Sequence, residues 1–338
     1  MRNSLALLAG ITCAFALAIT GCSTGGAAGR SAASTPSATA PATARTTAYA
    51  PYVSATAASD TDSAGSPSAY NLAFVISGDG GCTPAWNGTE AIGDAAVKSR
   101  AARLRKDGAE IRVSFGGASG KELAATCGSA AELAAAYAKA LDAAGAGRAD
   151  FDIEGDELTD SASVALRSRA IELLQKQRPD LQVSFTLPVM PSGLDADAVA
   201  LLESANTYDV QVSTVNLMTM NYGESYTGDM AGYAVTSAEA AHAQLEKVFG
   251  LSDAAAWRGM ALTSMIGVND VAGETFTLSD AARVRTFAVG KQIAWVSMWS
   301  SFRDRQCAQG ESGADDAATD CSGVEQDEGA FGRAFAGN

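Results

Sequence analysis

The sequence predicts an α/β fold, a single (β/α)₈ (TIM) barrel, on three observations. From Tyr49 onward, short apolar runs rich in β-branched and aromatic residues alternate with longer amphipathic ones, the pattern of parallel strands joined by right-handed helical crossovers. Eight such runs can be marked off, at 49–56, 70–76, 110–116, 150–154, 182–188, 212–219, 259–265 and 293–299. The fourth, Asp150-Phe-Asp152-Ile-Glu154, alternates carboxylates with bulky apolar residues, as a strand does when one face meets a polar interior and the other a helix layer. Eight repeats suit a closed barrel better than an open doubly wound sheet, and the phosphate-binding loops of open folds are missing.

Ahead of the barrel, Met1-Arg2-Asn3 supplies a positive start to an apolar run over 5–19, which is too short for a permanent membrane span. The run ends in Ile19-Thr20-Gly21-Cys22, which resembles the lipobox of bacterial lipoproteins. Residues 1–21 are therefore expected to be a lipoprotein signal peptide and Cys22 a lipidated anchor; an ordinary signal peptide is the alternative. Residues 22–46 are almost all Ala, Ser, Thr, Gly and Pro, with too little apolar bulk to offset their ordering entropy, and read as a disordered tether. Export follows, to the cell surface or beyond, with contact to the membrane through the lipid alone. The barrel is expected to occupy 47–338.

Within the barrel, Ser129-Ala-Ala-Glu132 reads as a capping box that opens a helix with Leu133, Tyr137 and Leu141 on one face. Further helices are expected over 164–178, stopped by Pro179, over 237–249, and over 279–289, closed by Gly290. The stretch 57–69 lacks a helical pattern and is the weakest unit. Gly78-Asp-Gly-Gly81 has no Lys-Ser/Thr ending and reads as a loop over the barrel mouth.

A formal net charge of −14 disfavours nucleic acid as a partner and favours a neutral or cationic ligand. The single histidine, His242, leaves almost no room for histidine-based metal sites or Ser-His-Asp triads, and no metal or cofactor is expected. Cys82, Cys127, Cys307 and Cys321 remain for an exported domain, enough for two disulfides in one of three pairings. Proximity favours Cys307–Cys321, which would close the C-terminal tail, and leaves Cys82–Cys127. Their spacing is wrong for zinc.

The fourth strand carries the chemistry. Asp150, Asp152 and Glu154 share one face at steps of about 6.5–7 Å. Three carboxylates facing into a barrel are costly unless a site uses them, and barrel enzymes build their sites at the C-terminal ends of strands. Glu154 would stand at the mouth and Asp150 deepest; Asp156 and Glu157 read as solvated.

On these residues the sequence resembles the family-18 glycoside hydrolases. Their fourth-strand Asp-x-x-Asp-x-Asp-x-Glu pattern is matched by Asp150, Asp152 and Glu154, with Gly147 at the first position. Ser114-Phe-Gly-Gly117, the segment from Val215 to Gly223 and Met298-Trp299-Ser300 match the third, sixth and eighth strands. The resemblance implies substrate-assisted hydrolysis of β-1,4 N-acetylglucosamine linkages, in chitin or chitooligosaccharides, with retention. It further implies Glu154 as acid and then base, and Asp152 as the neighbour that turns between Asp150 and Glu154. Ser114 and Tyr52 would support Asp150, and Trp299 would form the sugar floor. Met220 stands where many members have a tyrosine and Asn221 where they have aspartate; the sixth segment is similar to a bacterial Met-x-Met-Asp-Tyr-Gly variant. Tyr222 keeps strand parity and is expected to supply the hydroxyl.

Trp86 is a candidate for a further sugar subsite or for packing near Cys82, and Asn269 for a ligand contact at the end of the seventh strand. Trp295 reads as barrel filling and Trp257 as packing. The competing functions are a catalytically weak or silent sugar-binding protein on the same barrel, a glycosidase acting on peptidoglycan or N-glycan cores, and an inverting barrel glycosidase.

Overall fold

The computed structural model describes residues 46–308 and 320–338. The signal segment, Cys22 and nearly all of the expected tether lie outside the described residues.

All eight expected strands form, in parallel and in chain order around one sheet. The first is split into Ala48–Tyr49, which pairs with Trp295–Trp299, and Tyr52–Ser54, which pairs with Ala69–Gly78. Pro51 lies at the split, where its missing N–H interrupts the ladder. The two halves face opposite neighbours, and this closes the barrel. The remaining strands are Glu110–Gly116, Arg148–Asp152, Gln182–Pro188, Val212–Met218 and Met260–Met265.

Register decides what faces inward. Phe115, Phe151 and Phe185 stand side by side on the third, fourth and fifth strands. Their rings pack outward at 5.3 and 5.7 Å, with Tyr137 of helix Ala130–Ala144 edge-on to Phe151 at 5.0 Å. Because side chains alternate, the same register turns Ser114, Asp150 and Ser184 inward as one row, and Gly116, Asp152 and Thr186 as the next. The second strand breaks register between Leu72 and Val75, a bulge at the position of Phe74.

The helices largely follow the sequence, with adjustments at their ends. Ser129 accepts from the Glu132 N–H at 3.3 Å, half of the expected capping box. A complete box instead forms between Thr277 and Asp280, opening Leu278–Lys291. Gly290 lies inside that helix, and Gln292 ends it with φ of 59°. The helix expected from 237 starts earlier, as Met230–Phe249, where Asp229 caps it, while Ser161–Gln177 stops just ahead of Pro179.

No helix joins the first two strands among the described residues. The C-terminal helix Ala330–Ala336 packs there instead: a Cβ on Gly65 would lie 2.2 Å from the Gly332 carbonyl oxygen, and Phe335 stacks on Tyr49 at 6.2 Å. Asp304 holds that helix, accepting from the N–H groups of Phe331 at 2.9 Å and Gly332 at 2.7 Å. Both expected disulfides form, Cys82–Cys127 and Cys307–Cys321, with Cα separations of 4.5 and 4.9 Å. No helix among the described residues is long and apolar enough to cross a membrane.

The outward phenylalanine row fixes the inward carboxylates. Phe151→Ala is expected to cost about 3–5 kcal/mol of unfolding free energy in a denaturant titration. A cost under about 1 kcal/mol would show that the row does not set the register.

Candidate active site

Asp150 lies deep in the barrel, 1% exposed, and four hydroxyl groups converge on it. Ser114 donates to Oδ2 at 2.8 Å and Tyr52 to the same oxygen at 2.9 Å. Ser184 and Thr186 donate to Oδ1 at 2.6 and 2.8 Å. A carboxylate offers about four lone-pair sites, so each has its donor. The network continues outward: Asn216 donates to Thr186 at 3.0 Å, and Thr263 donates to Asn216 at 2.9 Å. Beneath it the Arg112 guanidinium lies 3.9 Å over the Trp295 ring and donates to Asn71 at 2.6 Å. Burial draws Arg112 down to about 10, with the Asp150 charge opposing the shift. Trp295 therefore fills the barrel, as expected.

Above this layer Asp152 is buried, and its Oδ1 has no hydrogen-bond partner among the described residues. Burial, then the charges of Glu154 and Asp150, push its carboxyl well above the ordinary range. Glu154 lies two residues past the end of the strand and is raised by burial to about 7. Its segment stays aligned because the Ile153 N–H donates to the Thr186 carbonyl at 3.0 Å. On the neighbouring strand a Cβ at Gly116 would lie 2.1 Å from the Asp152 carbonyl oxygen, and the residue has φ of 97°, so only glycine fits.

Both acids line a cavity of about 400 Å³ at the C-terminal end of the barrel. Tyr52, Phe74, Thr186 and Trp299 are in its wall. Trp299 stacks against Phe74 at 5.5 Å and meets Tyr52 and Phe302 edge-on, each at 5.8 Å. An aromatic face of this kind matches the apolar side of a pyranose ring. Met218, Met220 and Asn221 supply the sixth-strand side, and the Asn221 amide reaches Asp270 at 3.3 Å.

The structure thus brings Glu154, Asp152, Asp150, Tyr52, Ser114, Trp299, Met220 and Asn221 together. It separates three other candidates from the cavity. Tyr222 is buried in a ring cluster with Tyr226 and Tyr233, and its hydroxyl lies toward Ser237 and Thr219 without completing a hydrogen bond. A left-handed Asn221, with φ of 52°, breaks the strand parity that would have turned Tyr222 inward. Trp86 is 1% exposed and donates to the Ile92 carbonyl at 3.2 Å, in a hairpin beside the Cys82–Cys127 bridge. Asn269 is buried, with its amide spent on the carbonyls of Met265 and Gly267, both at 3.0 Å.

Sequence reasoning missed Ser184, Thr186, Asn216 and Thr263, although inward polar residues at alternate positions of apolar strands were the available signal. Phe74 had none, because it lies in an unbroken apolar run. Glu157 is only partly solvated: one oxygen accepts the Glu122 N–H at 3.3 Å and the other is buried. Glu122 itself is paired with Arg167 at 2.8 Å behind the fourth strand. As for metals, His242, Glu246 and Asp253 hold ligand atoms within 4.8 Å of one another, none of them in the cavity wall. His242 is engaged elsewhere, stacked on Trp257 at 4.1 Å and bonded to the Asp253 carbonyl at 3.0 Å.

Comparison with known proteins points the same way. The chain is 35% identical over 275 residues to a probable bifunctional chitinase/lysozyme of Escherichia coli, covering 76% of this chain and 31% of that protein. It is 34% identical over 280 residues to endochitinase 11 of Metarhizium anisopliae, covering 77% and 53%. The chain thus spans about a third and about half of these curated relatives. Among solved structures it is similar to catalytic-site mutants of active domain 2 of a thermostable chitinase from Pyrococcus furiosus complexed with chito-oligosaccharides, at TM-score 0.76 and 29% identity over 87% of this chain and 94% of that one. No family model matches. These likenesses are to chitinases, and the Pyrococcus furiosus domain shares the fold over most of both chains.

The raised Glu154 carboxyl has a consequence for stability. A group raised by folding contributes stability fully below its unfolded value, here 4.5, and loses it as pH climbs through about 7. Between pH 5 and 8 the stability of Glu154→Gln relative to the parent should therefore grow by up to about 3 kcal/mol, read from urea titrations. Parallel pH profiles for the two proteins would mean that Glu154 titrates normally.

Proposed function

We propose that the protein is a retaining glycosidase that hydrolyses β-1,4 bonds between N-acetylglucosamine units of chitin or chitooligosaccharides. One observation carries this reading: Glu154, raised to about 7, lies with the buried acid Asp152 in the wall of a cavity that also contains Trp299. Near neutral pH Glu154 retains enough of its proton to give it to the glycosidic oxygen as the bond to the anomeric carbon breaks. The acetamido carbonyl oxygen of the substrate forms the new bond to that carbon, giving an oxazolinium intermediate, so no protein nucleophile is needed. The Glu154 carboxylate then takes a proton from water, which opens the intermediate with net retention. Asp152 stands beside this exchange; its carboxylate would accept from the acetamido N–H, and Asp150 anchors the strand below. The chito-oligosaccharides in the Pyrococcus furiosus complex support the substrate class.

A second reading has an observation in its favour. The sixth strand brings Met218, Met220 and Asn221 to the cavity, and Tyr222 is turned away. A protein without that hydroxyl could bind chitooligosaccharides while cleaving them weakly or not at all. Action on other N-acetylglucosamine glycans, peptidoglycan among them, accords with the chitinase/lysozyme name of the Escherichia coli relative. We also propose, from Cys22 and the segment before it, an exported protein anchored by lipid. Labelling with a fatty-acid analogue that is lost in Cys22→Ser is the expected result, and label retained in that variant would contradict it.

Release of a chromophore from a chromogenic chitobioside should fall on the order of 10²- to 10⁴-fold in Glu154→Gln, with the β-anomer as first product. The alkaline limb of the parent profile should sit near pH 7, since a group raised to about 7 is increasingly deprotonated above it. Calorimetric binding without turnover in the parent would favour the silent reading, and an α-anomer first product would exclude retention.

A further inference from the structure

The segment after the seventh strand folds into a small hairpin, Gly267–Val268 against Thr275–Phe276. Its turn carries two carboxylates, and both hold the neighbouring sixth-strand loop. Asp270 lines the cavity and accepts from the Asn221 amide at 3.3 Å. Glu274 is 1% exposed and accepts the Gly223 N–H at 2.8 Å, with the N–H groups of Tyr222 and Asn221 turned to the same carboxylate. Its Oε2 is buried with no hydrogen-bond partner among the described residues.

Successive N–H groups aimed at one point form a concavity that holds an anion. Here the concavity exists because the chain bends through left-handed backbone at Asn221, φ 52°, and at Gly223, φ 116°. Asparagine tolerates that region at a cost other residues would share less easily, so something must hold the bend. The bend itself does two things. It turns the Tyr222 ring out of the cavity and leaves the Asn221 side chain in the cavity wall.

We propose that Glu274 is a positioning residue of the sugar site: its carboxylate gathers the Asn221–Gly223 backbone so that the Asn221 amide, steadied by Asp270, faces bound sugar. The assignment rests on the reading of the cavity as a chitooligosaccharide site. A glutamine at 274 would turn an amide N–H₂ or a weaker acceptor toward the same donors, and the bend would loosen.

The test uses Glu274→Gln, Asn221→Ala and the double variant on a defined chitooligosaccharide. Each single variant should raise KM roughly tenfold, the scale of one charge-assisted hydrogen bond, with kcat and the alkaline limb little changed. The double variant should be no worse than the worse single, because Glu274 acts through Asn221. Losses that multiply, or a fall in kcat at constant KM, would overturn the proposal. Hydrogen exchange gives a second readout that needs no substrate: amides 221–223 should exchange at least tenfold faster in Glu274→Gln, with the other strands unchanged. Equal exchange in the two proteins overturns the clamp even where the parent cleaves chitooligosaccharides. Faster exchange in Glu274→Gln, beside a parent that cleaves nothing, would uphold the clamp and sink the functional reading alone. Should the glutamine variant not fold, Glu274→Asp, one methylene shorter, serves in the same comparisons.

Discussion

Four hydroxyl groups from three strands meet on the Asp150 carboxylate, and the rest of the site is built around that meeting. Taking a carboxylate out of water costs several kcal/mol even after relaxation. Each hydrogen bond to a charged acceptor returns about 1.5–3 kcal/mol, so four of them outweigh the burial. The arrangement then works as a lock on register. Ser114 and Ser184 are the direct cross-strand neighbours of Asp150, and a one-residue slip of either strand would turn its hydroxyl out into the helix layer. The Phe115–Phe151–Phe185 row enforces the same register from the other face.

From this anchor the site rises in layers along a single strand. Arg112 and Trp295 plug the barrel below. Asp150 is fully satisfied, whereas Asp152, two residues on, is buried with an oxygen that has no hydrogen-bond partner among the described residues. Glu154 follows at the cavity, where burial alone lifts it to about 7. Three carboxyl groups of near-identical chemistry thus differ through their surroundings: the first saturated with donors, the second short of them among the described residues, the third mostly buried at the cavity wall. That gradient is what an acid that must give up and regain a proton requires.

Much of this was legible in the sequence because it rests on parity and spacing. The eight strands, the inward acids and both disulfides follow from period-two alternation and cysteine arithmetic, while Trp299 as cavity wall comes from the resemblance of the eighth-strand end to the family-18 hydrolases. The hydroxyls of Ser184 and Thr186 obey the same parity and could have been read with them. Legibility failed where the backbone leaves the regular strand. Parity put Tyr222 in the cavity, but a left-handed Asn221 cancels parity after Met220. The bulge before Val75, which sets the place of Phe74, depends on pairing with the third strand, and no local residue announces it. The helix expected to close at Gly290 runs on to Lys291 because a glycine can sit within a helix at modest cost and Gln292 accepts the left-handed stop. The missing first helix was visible as a gap, yet its replacement by a segment from the far end of the chain could not be seen from local pattern.

Where the hydrogens lie in the layered carboxylates can be read by neutron diffraction from deuterium-exchanged crystals near pH 6. A deuteron is expected on Glu154, another on Asp152, and the hydroxyl deuterons of Tyr52, Ser114, Ser184 and Thr186 all directed at Asp150. A deuteron on Asp150, with one of those hydroxyls turned away and Asp152 bare, would contradict this arrangement.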